Sequence, residues 1–97
     1  MKYRLKFLPE TVADRERIRN YLSQFCPNTA KRFFASLKSK TARLKTFPYS
    51  CPVYDDDTSY RKLVVDEYLV FYVVNDDDHI VEIHRIFHGT QNLSDHL

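Results

Sequence analysis

Residues 60–93, YRKLVVDEYLVFYVVNDDDHIVEIHRIFHGTQNL, contain the pattern that decides the fold. Three apolar runs, Arg61 to Val65, Tyr68 to Val74 and Ile80 to Phe87, are separated by two short polar segments. The separators Asp66-Glu67 and Asn75 to Asp78 have the length and composition of hairpin turns. The middle run is apolar on both faces, which is typical of a strand with a neighbour on each side. The stretch therefore predicts a three-stranded antiparallel meander.

The residues before this stretch predict one further strand and two helices. Lys2 to Phe7 alternates charged and bulky apolar side chains, as in a strand with one buried face. A proline then ends the strand and suits the first turn of a helix, which the apolar spacing carries from about Glu10 to Phe25. Asn28 or Thr29 can cap a second helix, amphipathic and basic, which ends before Pro48.

The predicted order is therefore β-α-α-β-β-β, which indicates an α+β fold with an antiparallel helical hairpin on one face of an antiparallel sheet. A chain of 97 residues suits one small domain, residues 1–97, with a single core. Residues 48–60 hold two prolines and an acidic run and are expected to form a loop. The hairpin is expected to pack on Tyr3, Leu5 or Phe7 through Ile18, Leu22, Phe33, Phe34, Leu37 and Leu44.

The composition excludes several classes of function. No signal-peptide pattern and no stretch of eighteen apolar residues occurs, so a cytoplasmic protein is expected. Cys26 and Cys51 have neither metal-ligand nor disulfide-framework spacing and are expected to be inert thiols. A single glycine leaves no glycine-rich phosphate loop, so no cofactor is expected. The acidic runs at 55–57 and 76–78 lack the spacing of a calcium loop and are expected to be solvated turns.

Charge is divided unequally along the chain. Residues 1–45 carry twelve Lys and Arg against three acids, whereas residues 46–97 carry three against ten. A basic half of this kind attracts anionic partners, either a nucleic acid or an acidic polypeptide. The alternative is that the cations are solvated helix faces, which the acidic turns neutralise.

The chain resembles the RelE/ParE superfamily of bacterial toxins. The resemblance lies in YRKLVV, EYLVFYVV, the acidic turn and IVEIHRIFHGTQNL, and it extends to the first strand ending in Pro9-Glu10 and to Phe47-Pro48. It implies a type II toxin–antitoxin system, in which a small antitoxin protein wraps the toxin and neutralises it. The resemblance implies neither a metal nor a cofactor.

Two activities occur in that superfamily. The RelE branch cleaves mRNA in the ribosome with basic residues and a terminal Tyr or His, whereas the ParE branch, which includes plasmid-stabilisation toxins, inhibits DNA gyrase by binding. The ribonucleases carry an Arg where this chain has Leu69, a basic residue where it has Gln91, and a terminal Tyr where it has Leu97. His88-Gly89, preceded by Arg85, is instead the ParE-like form.

RNA cleavage through the 2′-hydroxyl needs a base, an acid and a cation. If the chain is a ribonuclease, the candidate catalytic residues are Arg61, Arg85 and His88. Strand alternation places His84 and His88 on one face with Glu82, and Arg85 on the other face with Val81, Ile83 and Phe87. A regular strand therefore cannot unite Arg85 with His88, although a β-bulge near the glycine could.

Each of these residues also has a structural interpretation. Arg85 can be a buried arginine that binds an acid such as Asp66. His88 can be a hydrogen-bonded turn histidine beside a glycine that needs a positive φ. His84 is expected to point outward beside Glu82.

The antitoxin is expected to dock through an apolar segment, either as a helix in a groove or as a strand on a sheet edge, with flanking acids that meet the basic half. The candidate partner-binding residues are Lys38, Arg43, Lys45, His84 and His88. The predicted function is that of a ParE-like toxin, regulating growth by binding gyrase and held in a toxin–antitoxin hetero-oligomer. The alternatives are a ribosome-dependent mRNA endoribonuclease and a non-toxic antitoxin-binding module.

Overall fold

A computed structural model describes residues 2–55 and 57–89 of the chain. Five strands and two helices follow one another in the order β-α-α-β-β-β-β. They are β1 (Arg4–Phe7), α1 (Pro9–Leu22), α2 (Pro27–Arg43), β2 (Val53–Tyr54), β3 (Asp57–Val65), β4 (Tyr68–Asn75) and β5 (Ile80–His88). The α+β class, the helical pair and the C-terminal meander predicted from the sequence are confirmed.

The sheet has the strand order β1-β5-β4-β3-β2, with the twice-apolar β4 in the middle. β3, β4 and β5 pair antiparallel through short turns, as predicted. β1 instead pairs parallel with β5, so the sheet is mixed. A parallel neighbour needs a long crossover connection, and the two helices with β2 to β4 provide it.

The predicted loop at residues 48–60 contains the two-residue strand β2 and the first residues of β3. β2 lies at the edge of the sheet, directly after Pro52, and a proline is tolerated beside an edge strand because its missing N–H breaks no ladder hydrogen bond. The carbonyl oxygen of Pro52 accepts a hydrogen bond from the Lys62 amide at 3.0 Å. The expectation of a plain loop was wrong because composition does not reveal pairing by backbone groups.

Both helices are shorter than the apolar spacing predicted. α1 ends at Leu22, and Phe25 lies in the following turn with 67% of its surface exposed. α2 ends at Arg43, and Phe47 is 61% exposed. The predicted caps Asn28 and Thr29 were wrong, because Pro27 takes the first helical position, where a missing N–H costs nothing.

The core forms where the helices meet β3, β4 and β5. Phe33 of α2 is 3% exposed and contacts the Tyr68 ring at a centroid distance of 4.9 Å. Ile18, Leu37 and Leu44 are buried as predicted, whereas Leu22 and Phe34 are only partly buried. The remaining buried members of this core are Val65, Tyr68, Val70, Tyr72, Val81, Ile83 and Ile86.

Phe33 and Phe34 offer a matched test of the core. Phe33→Ala should lower the free energy of unfolding by about 3 to 5 kcal/mol, because a buried aromatic leaves a cavity. Phe34→Ala should cost clearly less, since the Phe34 ring lies at the edge of the core under the Arg19 guanidinium, 4.4 Å from its centroid. Urea unfolding of both variants measures the difference. Equal losses would show that the core has been assigned to the wrong side of α2.

Candidate functional site

A β-bulge in β5 sets the direction of the side chains in the opening sequence pattern. Phe71 pairs with Arg85 and Tyr72 with Ile83, so His84 is an extra residue on β5. An extra residue reverses the alternation of faces beyond it. Ile83 therefore faces the helices opposite Tyr72, whereas Arg85 lies opposite Phe71 on the other face of the sheet.

The bulge corrects two predictions about faces. His84 contacts the Tyr60 ring on the face away from the helices, at a centroid distance of 5.2 Å. His88 lies opposite Tyr68 of the helix-facing core, again 5.2 Å between centroids. The two histidines thus lie on opposite faces, and Arg85 does not share a face with Ile83. Arg85 and His88 remain apart.

Arg85 binds a buried carboxylate on α1. Its Nε and NH2 atoms donate to the two oxygens of Asp14 at 2.8 and 3.1 Å. Asp14 is 1% exposed and also accepts the Ile86 amide at 3.0 Å and Arg17 NH1 at 3.0 Å. The Asp14 carboxylate raises the pKa of Arg85 by hydrogen bonding, so the guanidinium stays charged. Arg85 is the structural arginine that the sequence suggested, with Asp14 and not Asp66 as its acid.

Side chains of α1 continue the pairing of β5 where β1 stops. β1 ends at Phe7, which is paired with Ile83. The Ile83 carbonyl accepts hydrogen bonds from the Leu8 amide at 3.1 Å and from the buried Thr11 hydroxyl at 2.7 Å. The sequence analysis missed Thr11 and Asp14, although they lie seven and four residues before Ile18, at helical spacing on the buried face of α1.

Arg61 lies on β3, across β4 from β5. Its NH1 atom donates to the Cys51 carbonyl at 2.6 Å, and its guanidinium stacks 4.8 Å from the centroid of the Tyr49 ring. The Tyr49 hydroxyl bonds to Asp76, which also accepts the Tyr3 hydroxyl at 2.6 Å. This hydrogen bond raises the pKa of Tyr3 to about 12, so the phenol stays protonated and donating near neutral pH.

His88 is the last residue of β5, and Gly89 follows it beside the β3–β4 turn. His88 Nε2 lies 3.5 Å from a Glu67 carboxylate oxygen. Gly89 has no positive φ, so that expectation was wrong. Its amide donates to the Glu67 carbonyl at 2.9 Å, and an added Cβ would lie 3.3 Å from the same oxygen. A close approach of two backbones explains the glycine.

His84 points outward beside Glu82, as predicted, with 3.2 Å between Nε2 and the carboxylate. On its other side, Nδ1 lies 3.5 Å from the Tyr60 hydroxyl. Glu82, His84 and Tyr60 thus form a hydrogen-bonded chain on the face away from the helices.

The three candidate catalytic residues do not meet. Arg61 of β3 pairs with Tyr72, and His88 of β5 pairs with Tyr68. The two candidates therefore flank β4 on opposite sides, at positions four residues apart along it. Four residues span about 13 Å of strand, beyond the reach of one reacting phosphate. Leu69 pairs with Phe87, whereas Gln91 and Leu97 lie outside the described residues.

A groove between β1, α1 and α2, here called the basic groove, has a volume of about 680 Å³. Its apolar lining consists largely of Leu5, Phe7, Phe34 and Leu37, and its cations are Arg4, Arg15, Arg19, Lys38 and Lys45. No carboxylate of the described chain lines it. Two guanidinium groups cover the apolar lining: Arg15 lies over Phe7 and Arg19 over Phe34, 5.0 and 4.4 Å from the ring centroids.

The candidate partner-binding residues divide between several surfaces. Lys38 and Lys45 line the basic groove. Arg43 lines a smaller depression beside β3 and takes no part in the basic groove. His84 lies on the open face of the sheet and His88 against Tyr68.

Within residues 2–55 and 57–89, no group of three or more His, Cys, Asp or Glu is placed to hold a metal ion. Cys26 is exposed, Cys51 is half-buried, and both thiols are free. Over the same residues, no helix has the length and apolar character needed to cross a bilayer.

The fold and the site define a small α+β protein with a basic, partly apolar groove. The family described as "ParE toxin of type II toxin-antitoxin system, parDE" matches residues 5–93. The match covers most of the sequence, and the chain belongs to this family.

Two solved structures have the same fold. A chain of the chromosomal ParDE toxin–antitoxin system from P. aeruginosa is similar with a TM-score of 0.75 and 15% identity, covering 90% of this chain and 96% of that one. A chain of the RelBE2 toxin–antitoxin complex from Mycobacterium tuberculosis is similar with a TM-score of 0.62 and 18% identity, covering 91% and 99%. Comparison with curated protein sequences gives no significant match.

Asp14→Asn should destabilise the protein by about 3 to 5 kcal/mol, because it removes the charge that pairs with Arg85 deep in the interface of α1 and β5. Arg17→Ala is the matched control, since Arg17 binds the same carboxylate but is 53% exposed, and it should cost at most about 1 kcal/mol. Thermal and urea unfolding measure both. The assignment fails if Asp14→Asn loses no more stability than Arg17→Ala.

Proposed function

We propose that this protein is the toxin of a type II toxin–antitoxin pair, that it acts in the cytoplasm by binding and inhibiting DNA gyrase, and that a cognate antitoxin neutralises it at the basic groove. The family to which the chain belongs supports the toxin role. Gyrase inhibition is what the ParE-like form of the sequence implies.

The observation that favours binding over RNA cleavage is that the candidate catalytic arginines already bind other groups of the protein. Arg85 is committed to buried Asp14, and Arg61 to the Cys51 carbonyl and the Tyr49 ring. The β4 residue that pairs with His88 lies about 13 Å along the strand from the β4 residue that pairs with Arg61. A ribonuclease needs an acid, a base and a cation around one phosphate, and these residues do not provide that arrangement.

The basic groove supports an antitoxin partner. The carboxylates of an acidic peptide would bind the guanidinium groups of Arg15 and Arg19 and draw them away from the rings of Phe7 and Phe34. The uncovered rings would then contact the apolar anchors of the peptide. Apolar contacts then provide affinity, and the surrounding cations provide fast association. The two structural neighbours belong to toxin–antitoxin systems, which agrees with such a partner.

Two assays on the purified chain test the target. We expect inhibition of gyrase supercoiling and no cleavage of ribosome-bound mRNA. His88→Ala should weaken the effect only modestly, whereas loss of a general base typically costs a hundredfold or more. Codon-phased mRNA cuts that disappear in folded His88→Ala protein would favour the ribonuclease alternative. Antitoxin binding with neither activity would favour a non-toxic binding module.

Charge reversal in the basic groove tests the antitoxin site. Lys38→Glu/Lys45→Glu should slow association with the antitoxin most strongly at low salt, because steering by exposed charges is screened by ions. Lys31→Glu/Arg43→Glu is the matched control, with the same change in net charge outside the groove. Stopped-flow or surface-binding kinetics measure the rates. Equal slowing by both variants would mean that only overall charge matters.

A further inference from the structure

The second helix carries positive charge that the described protein does not neutralise. The seventeen residues of α2 include five Lys or Arg and no Asp or Glu. Among the described residues, no ion pair involves any cation of α2. Lys40 Nζ donates to the Val64 carbonyl at 3.4 Å, but the other cations are exposed. Like charges close together on a helix repel one another, so this surface favours a polyanion.

The exposed cations form two rows along the helix. Lys31, Lys38 and Lys45 are seven residues apart, which on a helix places them almost in line with about 10.5 Å between neighbours. Lys45 belongs to the turn that follows α2. Arg32 and Arg43 are eleven residues apart and lie in a second row, displaced by roughly 100° around the axis. The exposed residues between the rows are short: Asn28, Ala35, Ser39, Ala42 and Thr46.

We infer that the outer face of α2 binds duplex DNA by lying along the major groove. That groove is about 12 Å wide and admits an α-helix. The two rows of cations would reach the phosphates of the two strands, and the short residues between them let the helix approach the floor of the groove. Contacts of this kind are mainly to phosphates, so binding is expected to depend little on sequence.

The character of this face separates duplex DNA from other polyanions. Between the two rows, the exposed surface of α2 has no apolar side chain larger than Ala, so a protein partner would find no anchor residue there. The apolar Phe34 lies in the basic groove, on the other side of the row that contains Lys38. No aromatic ring is exposed there, so single-stranded nucleic acid would find no stacking platform. Duplex RNA has a deep, narrow major groove that a helix cannot enter.

DNA binding would deepen the proposed function, because a toxin directed against gyrase acts on an enzyme that holds duplex DNA. Only this link between DNA binding and gyrase rests on the proposed function. The binding itself is measured without gyrase, so the failure of either can be recognised separately.

The test uses the full chain and a short fluorescent DNA duplex of arbitrary sequence, titrated by fluorescence anisotropy at several salt concentrations. With five cations on phosphates, a plot of the logarithm of the binding constant against the logarithm of the salt concentration should have a slope of about −4.5. Lys31→Glu/Arg43→Glu removes one cation from each row and should weaken binding at low salt at least about tenfold, with a slope shallower by about 2.

The matched control is Lys2→Glu/Lys6→Glu, which changes the net charge equally at exposed positions on or beside the edge strand β1. It should bind DNA much more tightly than the α2 variant, with circular dichroism melting to confirm that both fold. The inference is overturned by absence of DNA binding at low salt, by equal weakening in the control, or by equal affinity for duplex RNA. Gyrase inhibition without DNA binding would overturn this inference alone, and DNA binding without gyrase inhibition would overturn the proposed function alone.

Discussion

The fold depends on one buried carboxylate, that of Asp14, which joins α1 to the sheet. β5 loses its parallel neighbour after Ile83, so its next backbone groups need other partners. Asp14 accepts the Ile86 amide and the Arg85 guanidinium, while Thr11 binds the Ile83 carbonyl. A buried charge is tolerated only when it is fully paired and hydrogen-bonded, and this one is. The helix is thereby held where β1 would otherwise continue.

The bulge at His84 lies in the same part of β5, next to Arg85. It determines which face of the sheet each later side chain of the strand occupies. It turns Arg85 to the opposite face from Ile83, with its side chain over the Phe87 ring at 4.4 Å and its head group on Asp14. His88 returns to the helix-facing side beside Tyr68. The polar residues of this strand thus bind partners within the structure and are not gathered around one reacting group.

α2 has three sides with different chemistry. Its buried side, centred on Phe33 and Leu37, makes the core with β3 and β4. One flank contributes Phe34 and Lys38 to the basic groove, where apolar and cationic groups lie together. Its outer side carries cations and short residues without apolar anchors. A mixed surface suits a peptide with acidic and apolar residues, whereas a purely cationic one suits a phosphate backbone, which is why two kinds of partner are proposed for one helix.

The amino-acid sequence by itself determined the order of the elements apart from β2, the central position of β4, the buried side of α2 and the basic character of the N-terminal half. These follow from local spacing, because alternation and helical periodicity are properties of neighbouring residues. Only the tertiary structure decided that β1 is parallel to β5, that His84 is an extra residue, and that the acid for Arg85 is Asp14. The first and the last depend on contacts between residues more than seventy positions apart, and the bulge depends on the register between β4 and β5. Local spacing carries no signal for either. The burial of Phe33 rather than Phe34 was decided in the same way, by where the helix meets Tyr68.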